Sequence, residues 1–259
     1  MRNKIALGLT VVFSAFVFQS CDPWEDESYH PTGGGSDGPE VEMLLKEVKT
    51  QTGSFEGLST YTYDGQNRLT KIISHSDITD QGSYAEITYQ YPSEGKVKFV
   101  SKGYLGGELI TTTSAEFEIE TQTTAKLSIQ DGIIGEMTSQ ITYSAPCGIS
   151  NMVTTLNIEG SPTSTTSYTF NDANCSYTEN IDGEWSETVF RDDKFSPYMD
   201  PMAILMGVIS HNTLKVEESD GAVETISYLY NENGFPTSAT HTFNEISGED
   251  NYTETFVYY

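Results

Sequence analysis

Along most of this chain, apolar and polar residues alternate one by one. In 85-AEITYQY-91, Ala85, Ile87, Tyr89 and Tyr91 share one parity, and Glu86, Thr88 and Gln90 share the other. The same alternation runs through 115-AEFEIE-120, 125-AKLSIQ-130, 139-SQITYSA-145, 152-MVTTLNI-158 and 224-ETISYLY-230. A period of two sends successive side chains to opposite faces of a strand, so each segment has one apolar and one wetted face. Thr is abundant on the wetted side, where its branched carbon suits the pleat and its hydroxyl suits water. Gly-, Asn- and Asp-containing turns separate the segments, which predicts hairpins in sequence order. The expected fold is mainly β: a long antiparallel meander over residues 40–259, curled into a barrel-like or half-barrel sheet as a single domain.

One segment breaks the alternation. In 194-KFSPYMDPMAILMGVISHN-212, Asp200 followed by Pro201 forms a helix start, an N-cap with proline at the first helical position. A short helical insertion is therefore expected near residues 201–209, packed on the concave side of the sheet. Its Met199, Met202, Leu205, Met206 and Ile209 are candidates to line a ligand cavity, because Met adapts to irregular shapes. Filling a gap in the core is the commoner use of such residues.

The first twenty residues read as a secretory signal, with Arg2 and Lys4 ahead of an apolar run from Ile5 to Phe18. That run is shorter than the ~20 residues a helix needs to cross a bilayer. Ser20 directly before Cys21 resembles a lipoprotein box, although Phe18 and Gln19 depart from its usual Leu and small residue. The resemblance implies lipidation of Cys21 and a mature chain that starts there, anchored in a membrane. The acidic 22-DPWEDE-27 is similar to the surface-export signal of Bacteroidetes-type lipoproteins, which implies an outer-membrane, cell-surface location, with a periplasm-facing domain as the alternative. Residues 21–39 then form an acidic Gly-, Ser- and Pro-rich tether. Without Arg2 and Lys4, 11 of the 13 basic residues remain against 38 acidic ones, so nucleic acid and anionic lipid are repelled.

A short unit recurs. In 61-YTYDGQNRL-69, Tyr61 and Tyr63 share a face, Asp64 suits the first position of a turn, and Asn67 tolerates a left-handed backbone. It returns as 228-YLYNENGFP-236, as 89-YQYPSEGKV-97 and as 168-YTFNDANCS-176. We read it as a strand end plus hairpin loop, a device for building sheet.

Chemistry is sparse in the sequence. His30, His75, His211 and His241 are scattered, and no zinc-protease, nucleophile-elbow, phosphate-loop or dinucleotide spacing is present. No cofactor or metal site is expected. The abundant carboxylates are assigned to polar strand faces and turns, with Asp192 and Asp193 capping a turn or binding a cation. Cys147 and Cys175 would meet an oxidising envelope and are candidates for a disulfide. A simple meander sets their turns roughly 14 Å apart at ~4.8 Å per strand. A bridge needs Cα atoms within about 7 Å, so spacing weighs slightly against it. Trp185, after the 182-DGE-184 turn, and Tyr198 are candidate ligand contacts, Trp185 as a sugar-stacking platform or as an edge core residue. A transmembrane barrel is the competing reading of the alternation, opposed by the lipobox, the tether and strands expected to be mostly shorter than the 9–11 residues required.

The stretch 61-YTYDGQNRL-69 also resembles the YD repeat of Rhs-type shell proteins. A wider resemblance is to Bacteroidetes-type lipoproteins with a porin-like β-fold, a family without an established activity. It is carried by 192-DDKFSPY-198, Asn212 and 228-YLYNENGFP-236 in that order, with Ser196 where the family has Asn. It implies a curved antiparallel β-architecture with a short helical insertion, and it carries no site. The functional expectation is a non-catalytic envelope lipoprotein that binds a ligand or partner, a glycan among the candidates. A carrier of an apolar molecule, a glycan-active enzyme and a structural scaffold are the alternatives.

Overall fold

The computed structural model describes residues 43–259 except 81, 122, 133–134, 145–147, 157–162, 172–174, 199–210 and 248–249. The alternating segments form sixteen strands among the described residues. They are β1 (Leu45–Thr52), β2 (Phe55–Tyr63), β3 (Leu69–His75), β4 (Tyr84–Ser93), β5 (Lys96–Leu105), β6 (Glu108–Thr121), β7 (Thr124–Asp131) and β8 (Gly135–Ser144). They continue with β9 (Gly148–Leu156), β10 (Thr163–Phe170), β11 (Tyr177–Ile181), β12 (Trp185–Phe195), β13 (His211–Glu218), β14 (Val223–Tyr230), β15 (Pro236–Phe243) and β16 (Tyr252–Tyr258). Each strand pairs antiparallel with the next, and β16 returns to β1, so the sheet closes into a barrel. Nine of the sixteen are shorter than nine residues. No helix occurs among the described residues, and the insertion expected at 201–209 lies outside them.

Closure divides the two faces of every strand into an inside and an outside. Phe117, Val97, Ala125 and Ile141 are fully buried. With Leu69, Tyr89, Phe99, Leu127, Ile129, Met137, Ile149 and Met152 they form one cluster inside the β3–β9 half. A second cluster, Leu45, Val48, Ile226, Ala239 and Phe256, fills the β14–β16–β1 side. Tyr61 packs against both. Burying a large apolar side chain contributes about 1.5–3 kcal/mol, so these clusters are the main stabilising term.

The outward face is polar. Lys98, Glu116, Ser128 and Thr138 follow one another across β5–β8. Thr165, Ser167 and Thr169 line β10, and Thr253 and Thr255 line β16. Lys96 and Lys98 hold Glu116 at 2.7 and 2.6 Å. Such exposed pairs are worth about 0–1 kcal/mol each, so they matter for solvation more than for stability.

Because the strands alternate in direction, the β2–β3, β4–β5, β10–β11 and β14–β15 turns share one rim, where the chain enters β1. The β1–β2, β3–β4, β5–β6, β11–β12 and β13–β14 turns share the far rim. All four Tyr-x-Tyr/Phe units therefore sit at the near rim with their rings inward. The first two are the same object. Asp64 N donates to Arg68 O and Asn67 N to Asp64 O, at 2.9 and 3.1 Å; Asn231 N donates to Phe235 O and Gly234 N to Asn231 O, at 2.9 and 3.0 Å. Asp64 Oδ1 accepts from the amides of Gln66 and Arg68, and Asn231 Oδ1 from those of Asn233 and Phe235. Asn67 and Gly234 take left-handed φ values of 61° and 81°. Both units carry a register shift next to the second Tyr, and Thr70 and Thr237 each donate a hydroxyl to the carbonyl of the residue between the tyrosines.

The other two copies differ. Pro92 stands where the cap residue would be, and the chain turns through Glu94 and Gly95 between paired Ser93 and Lys96. In the fourth, Asn171 N reaches Ser176 O, one residue further along. A fifth instance escaped the sequence reading: β8–β9 repeats the register, Thr142↔Asn151 and Tyr143↔Ile149, and Ser150 Oγ donates to Thr142 O at 3.2 Å.

The motif 192-DDK-194, Asn212 and Tyr230 resolves into one knot. Tyr230 Oη donates to Asp192 Oδ2 at 2.5 Å, Lys194 N and Asn212 N donate to Asp192 Oδ1, and Asn212 Nδ2 lies 3.3 Å from Asp192 Oδ2. Asp192 thus fastens β12, β13 and β14 at the near rim, and Asn212 is 1% exposed.

Asn231→Ala removes the acceptor for two turn amides and is expected to lower the unfolding free energy by about 1–2 kcal/mol. Gly234→Ala, forcing a side chain into a left-handed φ, is expected to cost about 1 kcal/mol. Urea unfolding followed by circular dichroism checks both, with the outward-facing Ser238→Ala expected to change little.

Candidate functional site

Inside β11–β16 the inward parity carries an ionisable residue on every strand. These are Glu179 between Tyr177 and Ile181, Glu187 between Trp185 and Val189, Glu218 beyond Val216, and Glu224 before Ile226. His241 lies between Ala239 and Phe243, and Glu254 between Tyr252 and Phe256. Glu179 is paired with Glu187 and Glu187 with Glu218, while Val216 opposite Glu224 and Ile226 opposite His241 continue the row. All five glutamates are half-buried, so this side of the interior admits water.

Like charges directly opposite on a sheet repel, and burial adds the cost of desolvation. Protonation relieves both. Burial first, then the fields of Glu179, Glu218 and Glu224, push the Glu187 carboxyl up to about 7. Burial likewise raises Glu179, against a hydrogen bond from Tyr168. His241 is clamped, with Nδ1 2.5 Å from Glu224 Oε1 and Nε2 3.3 Å from Glu254 Oε2, its ring stacked on Tyr252 at 4.0 Å. Burial opposes its charge, but the two carboxylates outweigh burial and hold its pKa at about 9.

Tyr198 donates its hydroxyl to Glu254 Oε1 at 2.9 Å and sets its ring edge-on to Phe256 at 5.9 Å, although the residue is 39% exposed. Trp185 is half-buried on the inner face at the far rim, opposite Ile181. The two candidate contacts therefore bracket the arc from opposite rims. Met199, Met202, Leu205 and Met206 lie outside the described residues, as do Cys21 and Cys147. Cys175 is a half-cystine, buried, with φ 60°. Next to it, Arg191 donates Nη1 to Cys175 O at 3.0 Å and lies over the Tyr177 ring at 4.6 Å.

The glutamates of the arc correct the expectation that carboxylates keep to polar faces and turns. The signal was present: in 177-YTENI-181 and 252-YTETF-256 the Glu occupies the parity of the apolar residues on either side. Among the described residues, no group of three or more His, Cys, Asp or Glu is arranged to hold a metal ion. Asp77 accepts from Thr79 N and Oγ1 in its own turn. On the outside, β4–β8 carry an open groove of roughly 280 Å³ lined by Gln90, Lys98, Ser114, Glu116, Ser128 and Gln130.

The molecule is thus a closed meander barrel, packed on one side and acidic and wet on the other. No protein-family model matches the chain, and no curated protein matches it. Among solved structures it is similar to a porin-like protein from Bacteroides uniformis, at 14% identity and a TM-score of 0.56 over 83% of this chain and 96% of that one. A porin-like protein from Bacteroides vulgatus aligns at 9% identity and a TM-score of 0.40, over 84% and 99% of the two chains. The likeness is one of fold, and the porin-like architecture implied by the sequence resemblance is met at that level.

Glu187 and His241 have folded pKa values above their ordinary ones, so each stabilises the barrel below its unfolded pKa and ceases to do so as pH rises through the folded one. Stability is expected to fall in two stages, from about pH 4.5 to 7 as Glu187 ionises and from about 6.5 to 9 as His241 loses its proton. Urea midpoints between pH 4 and 10 check this: Glu187→Gln should flatten the lower stage and His241→Gln the upper.

Proposed function

We propose that the protein is a non-catalytic cell-envelope lipoprotein, held at the outer membrane by lipid on Cys21. Its barrel receives a polar, amine-bearing ligand at the acidic inner arc. The observation that carries this reading is the row of carboxylates on the apolar parity of adjacent strands. Placing them there costs folding energy, which a bound cation would offset. Trp185 at the far-rim end of the row supplies a ring on which a sugar face can stack. Partially N-protonated amino-sugar chains combine both features, which gives the glycan expectation a definite chemistry.

The polarity of the two faces speaks for a barrel that stands in water. A bilayer-spanning barrel turns an apolar band toward lipid and keeps a polar lumen. Here the outward rows are mainly Thr, Ser, Lys and Glu, with single apolar residues such as Leu229 among them, and the packed clusters are inside. The anchor supplies the membrane link and the tether the stand-off, on the family resemblance of 192-DDKFSPY-198 and 228-YLYNENGFP-236. A carrier of an apolar molecule gains no support from the described interior, where the apolar residues pack on one another. A glycan-active hydrolase is the second reading, because Glu187 is poised near neutrality between carboxylates, as an acid–base pair requires.

Isothermal titration of the mature chain with a chitosan hexamer and a fully N-acetylated chitin hexamer separates these readings. The amine-bearing oligomer should bind, more weakly at high salt. Glu187→Gln/Glu218→Gln should weaken it at least tenfold, and the acetylated oligomer should bind poorly. Equal binding by the double variant, or none by wild type, would sink the proposal. Cleavage of either oligomer, lost in Glu187→Gln, would establish the enzyme.

A further inference from the structure

The far rim carries a second feature unconnected with the arc. At the β5–β6 tip, Leu105, Leu109 and Ile110 are 61%, 54% and 60% exposed, and Phe55 at the β1–β2 tip is 61% exposed. A two-residue turn of Gly106 and Gly107, both at positive φ, closes the hairpin, which runs beyond the last β6–β7 pair at Thr113 and Asp131. Two backbone hydrogen bonds lash these tips through the β3–β4 loop: Ile78 N to Glu56 O and Gly107 N to Gly82 O, each 2.8 Å. The result is one ledge. Exposed apolar clusters of this kind mark contact surfaces, whereas the exposed Leu229 stands on the outward face of β14 away from it.

Beneath the apolar tips, on the outer face, Tyr84 and Tyr104 stack at 4.4 Å and 13°. One row lower, Lys102 stands opposite Glu86, and Lys71 pairs with Glu86 at 2.6 Å. Apart from Glu56 and Glu108 beside the apolar side chains, apolar tip, tyrosine layer and then charged layer is the order in which a bilayer surface is met from its hydrocarbon outward. The charge agrees. Lys71, Lys96, Lys98, Lys102 and Lys126, five of the eleven basic residues after the leader, lie between β3 and β7 and include the partners of Glu86, Glu116 and Glu118. Against nine acidic residues in the same span these leave a net −4 on a chain of −25, so a zwitterionic headgroup layer is repelled less here than elsewhere.

We propose that this ledge is a lipid-docking edge, which seats Phe55, Leu105, Leu109 and Ile110 in the surface of a zwitterionic phospholipid bilayer. The proposal rests in part on the lipoprotein reading, since the anchor keeps the ledge near a membrane. The chain enters at the opposite rim, but residues 21–42 span up to about 75 Å when extended. Even the fourteen residues of β6 reach only about 46 Å. The tether is therefore long enough for the barrel to rest on its far rim.

The test is vesicle flotation of the mature chain with Cys21→Ser, which has no lipid of its own, using phosphatidylcholine and phosphatidylethanolamine vesicles. The chain should float, Leu105→Asp/Leu109→Asp should float at least fivefold less, and Leu229→Asp should match the parent. Leu105→Ser/Leu109→Ser should lose part of the effect, and matching thermal melts show that all variants are folded. No flotation of the parent, or equal flotation of the tip variants, overturns the proposal. Self-association abolished by the tip variants, without flotation, overturns it in favour of a second copy as occupant. Metabolic labelling of the unaltered chain with a fatty acid tests the Cys21 anchor separately.

Discussion

Six residue pairs between β1 and β16, from Leu45↔Tyr258 to Gln51↔Thr253, turn a meander into a tube. Without them both strands would present unpaired amides and carbonyls, and Val48 and Phe256 would lose the enclosure that buries them. Tyr259 N adds a bond to Leu44 O at 3.0 Å at the seam. Closure also gives parity its meaning, because only in a tube does the same side of all sixteen strands face a common interior. The apolar parity then fills that interior and the Thr-rich parity covers the outside.

How much was legible in the sequence follows from how local each signal is. Alternation is a property of five to ten residues, and it located the strands. The turn unit is local too: within two residues before and six after them, Asp64 and Asn231 build matching loops, down to the Thr70 and Thr237 bonds. The copies that diverge do so for a local reason. Pro92 has no amide to donate across the loop, so that chain turns tightly at Glu94–Gly95. Closure was left open between barrel and half-barrel, because Leu45 and Tyr258 are neighbours only after every intervening hairpin has formed. The β8–β9 instance was hidden because 141-ITYSAPCGIS-150 keeps the spacing while changing the cap residue.

The acidic arc was missed for a different reason. Counted by composition, its glutamates vanish among 38 acidic residues. Counted by parity, they stand out, since Glu179, Glu187 and Glu254 replace an apolar residue between two others. Cys175 is instructive as well. It is bonded in a disulfide, and Cys147, the partner weighed for it in the sequence, lies outside the described residues.

The two sides of the interior solve opposite problems. Between β3 and β9, small and large residues interlock, as where Ala115 lies beside Phe99 and Ala125 beside Ile141, leaving the space filled. From β11 to β16 the inward residues are charged, and a filled interior would strand them without solvent. Water must therefore reach Glu179, Glu187 and Glu218, which are half-exposed, while His241 at 6% exposure is held by two carboxylates rather than by solvent. Tyr61 and Tyr228 stand at the border, with phenols that burial first and the Glu254 charge second keep protonated. Val or Leu at the same inward positions would continue the packing and remove the desolvation cost. The charge on six consecutive strands is thus a cost to folding, and it is on that cost that the proposed site for an amine-bearing ligand rests.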